Sequence, residues 1–346
     1  MCKVVCNSSH YAISTMIKIL ASTLAMMSIF TESHTHPIHE LNHIEVGEGN
    51  YMQTLIHGKD SSLPLLLIII GGKGTPSITF EPFTRRLSET YVYMIYTMRG
   101  VMGLNSTSSH IDIQGHIDDA KFMSHYLSSR FNHRPLTVSG ISYGADLALQ
   151  VAAQVPDLVN HVVCISGFFD VPRNLQIFES HLAERVPAPL VLLSKLLGDK
   201  NAVGYIFKLY LAGMYGLIAY ECKDSYPCWP SILIGPRSVL DNDLIYDWWY
   251  GLKTVVEMTR ISKSFETILT LKPPTTLTMP VTFMVGKFDL MANRVCMDEY
   301  VSTMSAPYST IVVFNSSTHF LILEENDRFI HEMEFIAHSV SCASIE

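Results

Sequence analysis

The chain has 346 residues, 48% of them apolar and 16% charged, which is enough to bury a large core and too apolar for a disordered segment. Its formal net charge of -8 excludes the basic surface that a nucleic-acid partner needs to displace counterions from phosphates.

In chain order, Lys18 precedes an apolar run from Ile19 to Phe30, and the polar stretch Thr31-Glu32-Ser33-His34-Thr35 follows it. A bilayer-spanning helix needs about 20 apolar residues, so residues 1–35 read as a signal peptide for secretion, with Met16 as an alternative start. If retained, the same segment would be a membrane anchor. His34, His36, His39 and His43 come next and read as a solvated N-terminal stretch rather than a metal site, because Pro37 interrupts them.

From about residue 43, short apolar runs alternate with longer amphipathic ones, the pattern of a parallel sheet covered by helices. Strands are expected from Ile44 to Val46, Met52 to His57, Leu65 to Ile70 and Tyr91 to Thr97. The third is an unbroken apolar run, as a strand buried on both faces requires. Ile113 to Phe131 reads as a helix, with Ile117, Ala120, Met123 and Leu127 near helical spacing. A strand from Leu136 to Ser139, the turn Gly140-Ile141-Ser142-Tyr143-Gly144 and a helix from Ala145 to Gln154 follow, then a strand from Val159 to Ser166.

The strand rhythm is then lost. Residues 173–278 are rich in Leu, Tyr, Trp and Met at helical spacing and read as a helical cap between two parts of a core, 36–172 and 279–346. Within it, Tyr246-Asp247-Trp248-Trp249-Tyr250 reads as packing, and the run Leu190 to Leu197 as cap core. Strands return at Val281 to Val285 and Thr310 to Phe314, and a closing helix begins near Glu324. The fold expected is α/β: a mostly parallel eight-stranded sheet with helices on both faces and a helical cap insertion.

Seven cysteines cannot all pair within one chain. Cys222 and Cys228 share a loop and are placed to bridge in an oxidising compartment, whereas Cys164 reads as a buried thiol inside a strand.

A serine hydroxyl is a weak nucleophile at neutral pH and needs a base within hydrogen-bond reach and an exposed oxygen. A tight strand-to-helix turn gives that exposure and favours glycine two positions before and after the serine, as Gly140 and Gly144 stand about Ser142. Of fifteen histidines, only His319 lies just past the last strand and before a helix, where a loop overhangs the sheet; it is the expected general base. Asp289, in Gly286-Lys287-Phe288-Asp289 after the seventh strand, is the expected partner of its imidazole, with Asp298 and Asp170 as rivals and helix capping as its plainer role. Backbone donors for an oxyanion are expected from Tyr143 and Gly72. Gly71-Gly72-Lys73-Gly74 is not a phosphate loop, since no serine or threonine follows the lysine directly.

These residues resemble the proline iminopeptidase branch of the α/β hydrolases. Ile70-Gly71-Gly72-Lys73-Gly74 is similar to that family's oxyanion element with two substitutions, and Arg99-Gly100 to its Arg-Gly turn. Gly140-Ile141-Ser142-Tyr143-Gly144 and Gly286-Lys287-Phe288-Asp289 match its serine and aspartate turns. Tyr300 to Glu325, with Ala306-Pro307, His319 and Glu324-Glu325, is similar to its C-terminal pattern. Three departures lie around the substrate: Ile70 and Lys73 in the oxyanion element, Met98 in place of an aspartate, and Tyr143 in place of a tryptophan.

The resemblance implies a serine hydrolase that works through a Ser-His-Asp triad and an acyl-enzyme, without cofactor or metal. Its substrate would be a short peptide or small molecule, from which it releases N-terminal residues. Glu179, Glu184, Glu221 and Glu257 are the cap carboxylates available to hold a free amine. A carboxylic-ester or lipid hydrolase is the alternative activity, and an inactive hydrolase-fold binding protein the alternative of another class.

Overall fold

The computed structural model describes residues 37–47, 49–71, 77–99, 112–197, 207–208, 211–212, 214–217, 220 and 271–343. The expected signal segment, Gly72, Gly100, the Cys222–Cys228 loop, the aromatic run at 246–250, and Glu221 and Glu257 lie outside the described residues.

Eight strands form one sheet: β1 (Ile38–Glu45), β2 (Tyr51–Gly58), β3 (Leu65–Ile70), β4 (Val92–Tyr96), β5 (Leu136–Ile141), β6 (Val159–Ile165), β7 (Val281–Gly286) and β8 (Ser309–Phe314). Their order is β1-β2-β4-β3-β5-β6-β7-β8. β2 is antiparallel to both β1 and β4, and every other pair is parallel. The parallel strands therefore all end at one edge, where loops from the centre of the sheet converge.

Helices cover both faces. Leu65, Leu67 and Ile69 of β3 pack with Ile117, Ala120 and Met123 of α1 (Ile113–Arg130) and with Leu147, Ala148 and Val151 of α2 (Tyr143–Gln154). Leu66, Ile68 and Ile70 face the other way, onto Phe329, Ile330 and Met333 of the C-terminal helix Asn326–Ala343. This is why β3 reads as an unbroken apolar run: all six of its side chains are buried, each contributing roughly 1.5–3 kcal/mol.

Two boundaries differ from expectation. β1 begins at Ile38 and is an edge strand in which exposed residues alternate with partly buried ones, so His39 and His43 are exposed strand residues and not part of a loose N-terminal stretch. The second helix begins at Tyr143, two residues earlier than expected.

Of the expected cap, α3 (Val171–Arg185) and α4 (Ala188–Leu196) are described and are helical. Phe178, Leu182 and Val186 form a separate apolar cluster with Leu211, Ala212, Tyr215 and Leu217, and Met291 of the core joins it. α4 departs from the cap-core expectation: Leu192 and Leu196 are 59% and 76% exposed.

Candidate active site

The serine sits where β5 becomes α2. The backbone N–H of Ser142 still donates to the carbonyl of Ile165 on β6, at 2.7 Å, and the helix starts at the next residue. So abrupt a change of direction forces φ to 57° at a non-glycine residue, a strain of about 1–3 kcal/mol. The flanking glycines answer to close approach. A Cβ on Gly140 would lie 2.0 Å from the carbonyl oxygen of Gly144, and one on Gly144 would lie 2.0 Å from that of Ile69.

The histidine arrives from the loop after β8. A Cβ on Gly286, the last residue of β7, would lie 2.1 Å from the carbonyl oxygen of Thr318, so the glycine lets the two loops touch. Phe288 N–H donates to the carbonyl of Ser317 at 3.0 Å, tying the aspartate turn to the histidine loop.

The three expected residues come together. His319 Nδ1 is 3.0 Å from Asp289 Oδ2, and His319 Nε2 is 3.0 Å from Ser142 Oγ. A carboxylate only accepts, so Nδ1 carries the proton and Nε2 is the acceptor for the serine hydroxyl. Asp289 and His319 are both buried. The capping role of Asp289 is present as well: its Oδ1 accepts from the backbone N–H of Met291 at 2.9 Å and of Ala292 at 2.8 Å. One oxygen is held by the turn and the other by the imidazole. The rivals are engaged elsewhere, since Asp170 caps α3 by accepting from Arg173 N–H at 3.1 Å and Asp298 lies 3.3 Å from Arg294 on the exposed face of its own helix.

For the oxyanion, Tyr143 opens α2, where the helix dipole adds positive potential. Gly72 lies outside the described residues, but its neighbour Gly71 runs directly over the turn: a Cβ there would meet Tyr143 N at 2.8 Å and Ser142 Cβ at 2.9 Å. The Tyr143 hydroxyl lies 3.1 Å from His116 Nδ1 on α1. Arg99 pairs in bidentate fashion with buried Asp119, also on α1. Behind the serine, burial pushes the Asp146 carboxyl up to about 7. Phe168 flanks the imidazole, with ring centroids 5.9 Å apart. Among the described residues, no group of three or more His, Cys, Asp or Glu side chains could hold a metal ion.

The sequence reading attached no role to several residues here. Glu325 Oε2 accepts from Ser316 N–H at 2.9 Å and Ser317 Oγ at 2.6 Å. Glu324 Oε2 accepts from Thr318 N–H at 2.7 Å, and Thr318 Oγ1 lies 2.9 and 3.0 Å from its two oxygens. An acidic pair five and six residues after a loop histidine is the sequence signal for this clamp. Of the cap carboxylates, Glu179 pairs with Lys208 at 2.6 Å and Glu184 with His181 at 3.2 Å.

No protein-family profile matches the chain. It is 24% identical over 307 residues to the Bacillus subtilis (strain 168) protein named "Probable aminopeptidase YbaC", spanning 84% of this chain and 94% of that one. A proline iminopeptidase from Mycobacterium smegmatis superposes with a TM-score of 0.59 at 15% identity, over 88% of this chain and all of that one. A bacterial membrane phospholipase A, described as a virulence factor, gives 0.60 at 16% identity over 96% of both chains. With its sheet order and these structural neighbours, proline iminopeptidases among them, the chain has the α/β-hydrolase fold.

Proposed function

We propose that the chain is a serine hydrolase in which Ser142 is the nucleophile, His319 the general base and Asp289 the group that orients it, and that it releases N-terminal residues from short peptides. The observation that carries the reading is the pair of 3.0 Å contacts running from Ser142 through His319 to Asp289. Such a chain lets Ser142 Oγ attack a carbonyl carbon while its proton passes to Nε2. The tetrahedral oxyanion would be held by the Tyr143 N–H and by Gly72. Nε2 then returns the proton to the leaving amine, and a water deprotonated by the same nitrogen releases the acyl group from Ser142. The likeness to the Bacillus subtilis protein named as an aminopeptidase, and to a proline iminopeptidase, supports the peptide substrate.

A carboxylic-ester or lipid substrate is the second reading, favoured by the likeness to a phospholipase A. A panel of aminoacyl-arylamides, proline included, and short-chain esters separates the two. Turnover of arylamides bearing a free amine is expected, and turnover of esters alone would replace the first reading by the second.

A further inference from the structure

One half-buried carboxylate serves two segments that are far apart in the chain. Glu324 accepts from Thr318, the residue before His319, through both the backbone N–H and the hydroxyl. Its Oε1 also accepts from the backbone N–H of Tyr220, at 2.6 Å, in the segment between β6 and β7. The Tyr220 ring packs on Phe288, beside Asp289, with centroids 5.4 Å apart. Thr318 is wholly buried, and its carbonyl lies against Gly286, so a change in how Thr318 is held bears directly on the loop that carries His319.

We propose that Glu324 is a positioning residue: it fixes the direction of the His319 loop through Thr318 and, through the Tyr220 N–H, makes that direction depend on the placement of Tyr220. The inference rests on the hydrolase reading above. A carboxylate with two acceptor oxygens suits three converging donors. Glutamine at 324 keeps the size of the side chain but offers one acceptor oxygen and turns an N–H2 group toward a donor, so either Thr318 or Tyr220 must release. The imidazole then drifts from the serine, which slows the chemical step without removing any group that touches substrate.

The test is the rate at which a fluorophosphonate labels Ser142, with kcat and KM on the best substrate, at a temperature where each variant is folded by circular dichroism. Glu324→Gln is expected to slow labelling and lower kcat by about 10- to 100-fold, the order lost when a reacting group is misplaced by about 1 Å, while KM stays within about twofold. Tyr220→Pro removes that donor together with the ring on Phe288, so it is read against Tyr220→Ala, which loses the ring and keeps the N–H; relative to Tyr220→Ala it is expected to slow labelling severalfold alone and by less than about twofold in the Glu324→Gln background. Should Glu324→Gln not fold, Thr318→Val, which deletes the hydroxyl contacts to Glu324 and keeps the backbone N–H, is expected to slow labelling in the same direction. Labelled wild-type protein with folded variants that react at the wild-type rate overturns this proposal alone, and equal slowing by Tyr220→Pro in both backgrounds overturns the coupling. An unlabelled wild type overturns the hydrolase reading and this inference with it.

Discussion

The backbone of Gly286 lies against the carbonyl of Thr318 so closely that any side chain on the glycine would start 2.1 Å from that oxygen. This contact joins the strand end that leads to Asp289 with the loop that carries His319. Gly286→Ala must push the loops apart, and since the opposing atom is a backbone carbonyl oxygen, no rotamer change relieves the clash. A loss of about 1–3 kcal/mol in stability is expected, with a fall in turnover that exceeds what the unfolded fraction explains. Urea unfolding together with kcat measured on the folded protein checks both parts.

Asp289 divides its oxygens between the turn, at Met291 and Ala292, and the imidazole. Asn at this position keeps one acceptor for the two turn amides but faces Nδ1 with a donor, which favours the wrong tautomer and removes the charge that stabilises an imidazolium. Asp289→Asn is therefore expected to lose about four orders of magnitude in kcat while its unfolding midpoint moves little. Steady-state kinetics beside a thermal melt checks it; loss of fold in step with loss of activity would make Asp289 a cap and nothing more.

Ser142 is held at φ 57°, so the nucleophile position stores strain. Ser142→Gly removes the hydroxyl and the Cβ that makes this backbone costly. Turnover is expected to vanish while stability rises by about 1 kcal/mol, the lower end of the strain for such a residue. Chemical denaturation of the variant against wild type measures the gain, and a less stable variant would mean that the turn is relaxed.

Two buried groups titrate with opposite effects on stability. His161, 2.9 Å from Thr282 Oγ1, is lowered by burial from 6.5 to about 4. As pH falls through that window the unfolded chain takes up a proton that the folded chain refuses, so stability falls by about 1.4 kcal/mol per pH unit. Asp146 is raised by burial from 3.8 to about 7, so here the folded chain holds the extra proton. Its contribution is full below 3.8 and is lost as pH rises to about 7, at a similar slope of the other sign. Asp146→Asn should unmask the histidine, giving stability that climbs with pH from about 4 to 6.5 and exceeds wild type above about 7. His161→Gln should unmask the carboxyl and give stability that falls with pH over the same range. Urea unfolding at half-unit pH steps reads both slopes.

The sheet was legible because a strand buried on both faces has no polar positions: Leu65 to Ile70 admits no other reading once both of its faces are covered. β1 was legible only at its end. As an edge strand it carries Glu40, Asn42 and Glu45 among its residues and leaves Leu41 54% exposed, so its apolar residues Ile38, Leu41 and Ile44 fall at a spacing of three and not two. Gly144 disguised the start of α2, because a glycine in the first turn of a helix reads as loop until its contact with Ile69 is known. Ser142, Asp289 and His319 were legible because each follows a strand at the same sheet edge and their order suits this topology. Glu324 was visible only as part of a pattern. Its link to Tyr220 spans 104 residues, and no local rule of spacing reports a contact of that range.

The most direct test of the proposed chemistry is covalent labelling of the folded full-length chain with a fluorophosphonate, followed by mass spectrometry of its peptides. One adduct per chain, on Ser142, is expected, with its rate falling by several orders of magnitude in His319→Ala. A folded protein that takes up no label, or carries it on another serine while Ser142 stays free, would contradict the assignment.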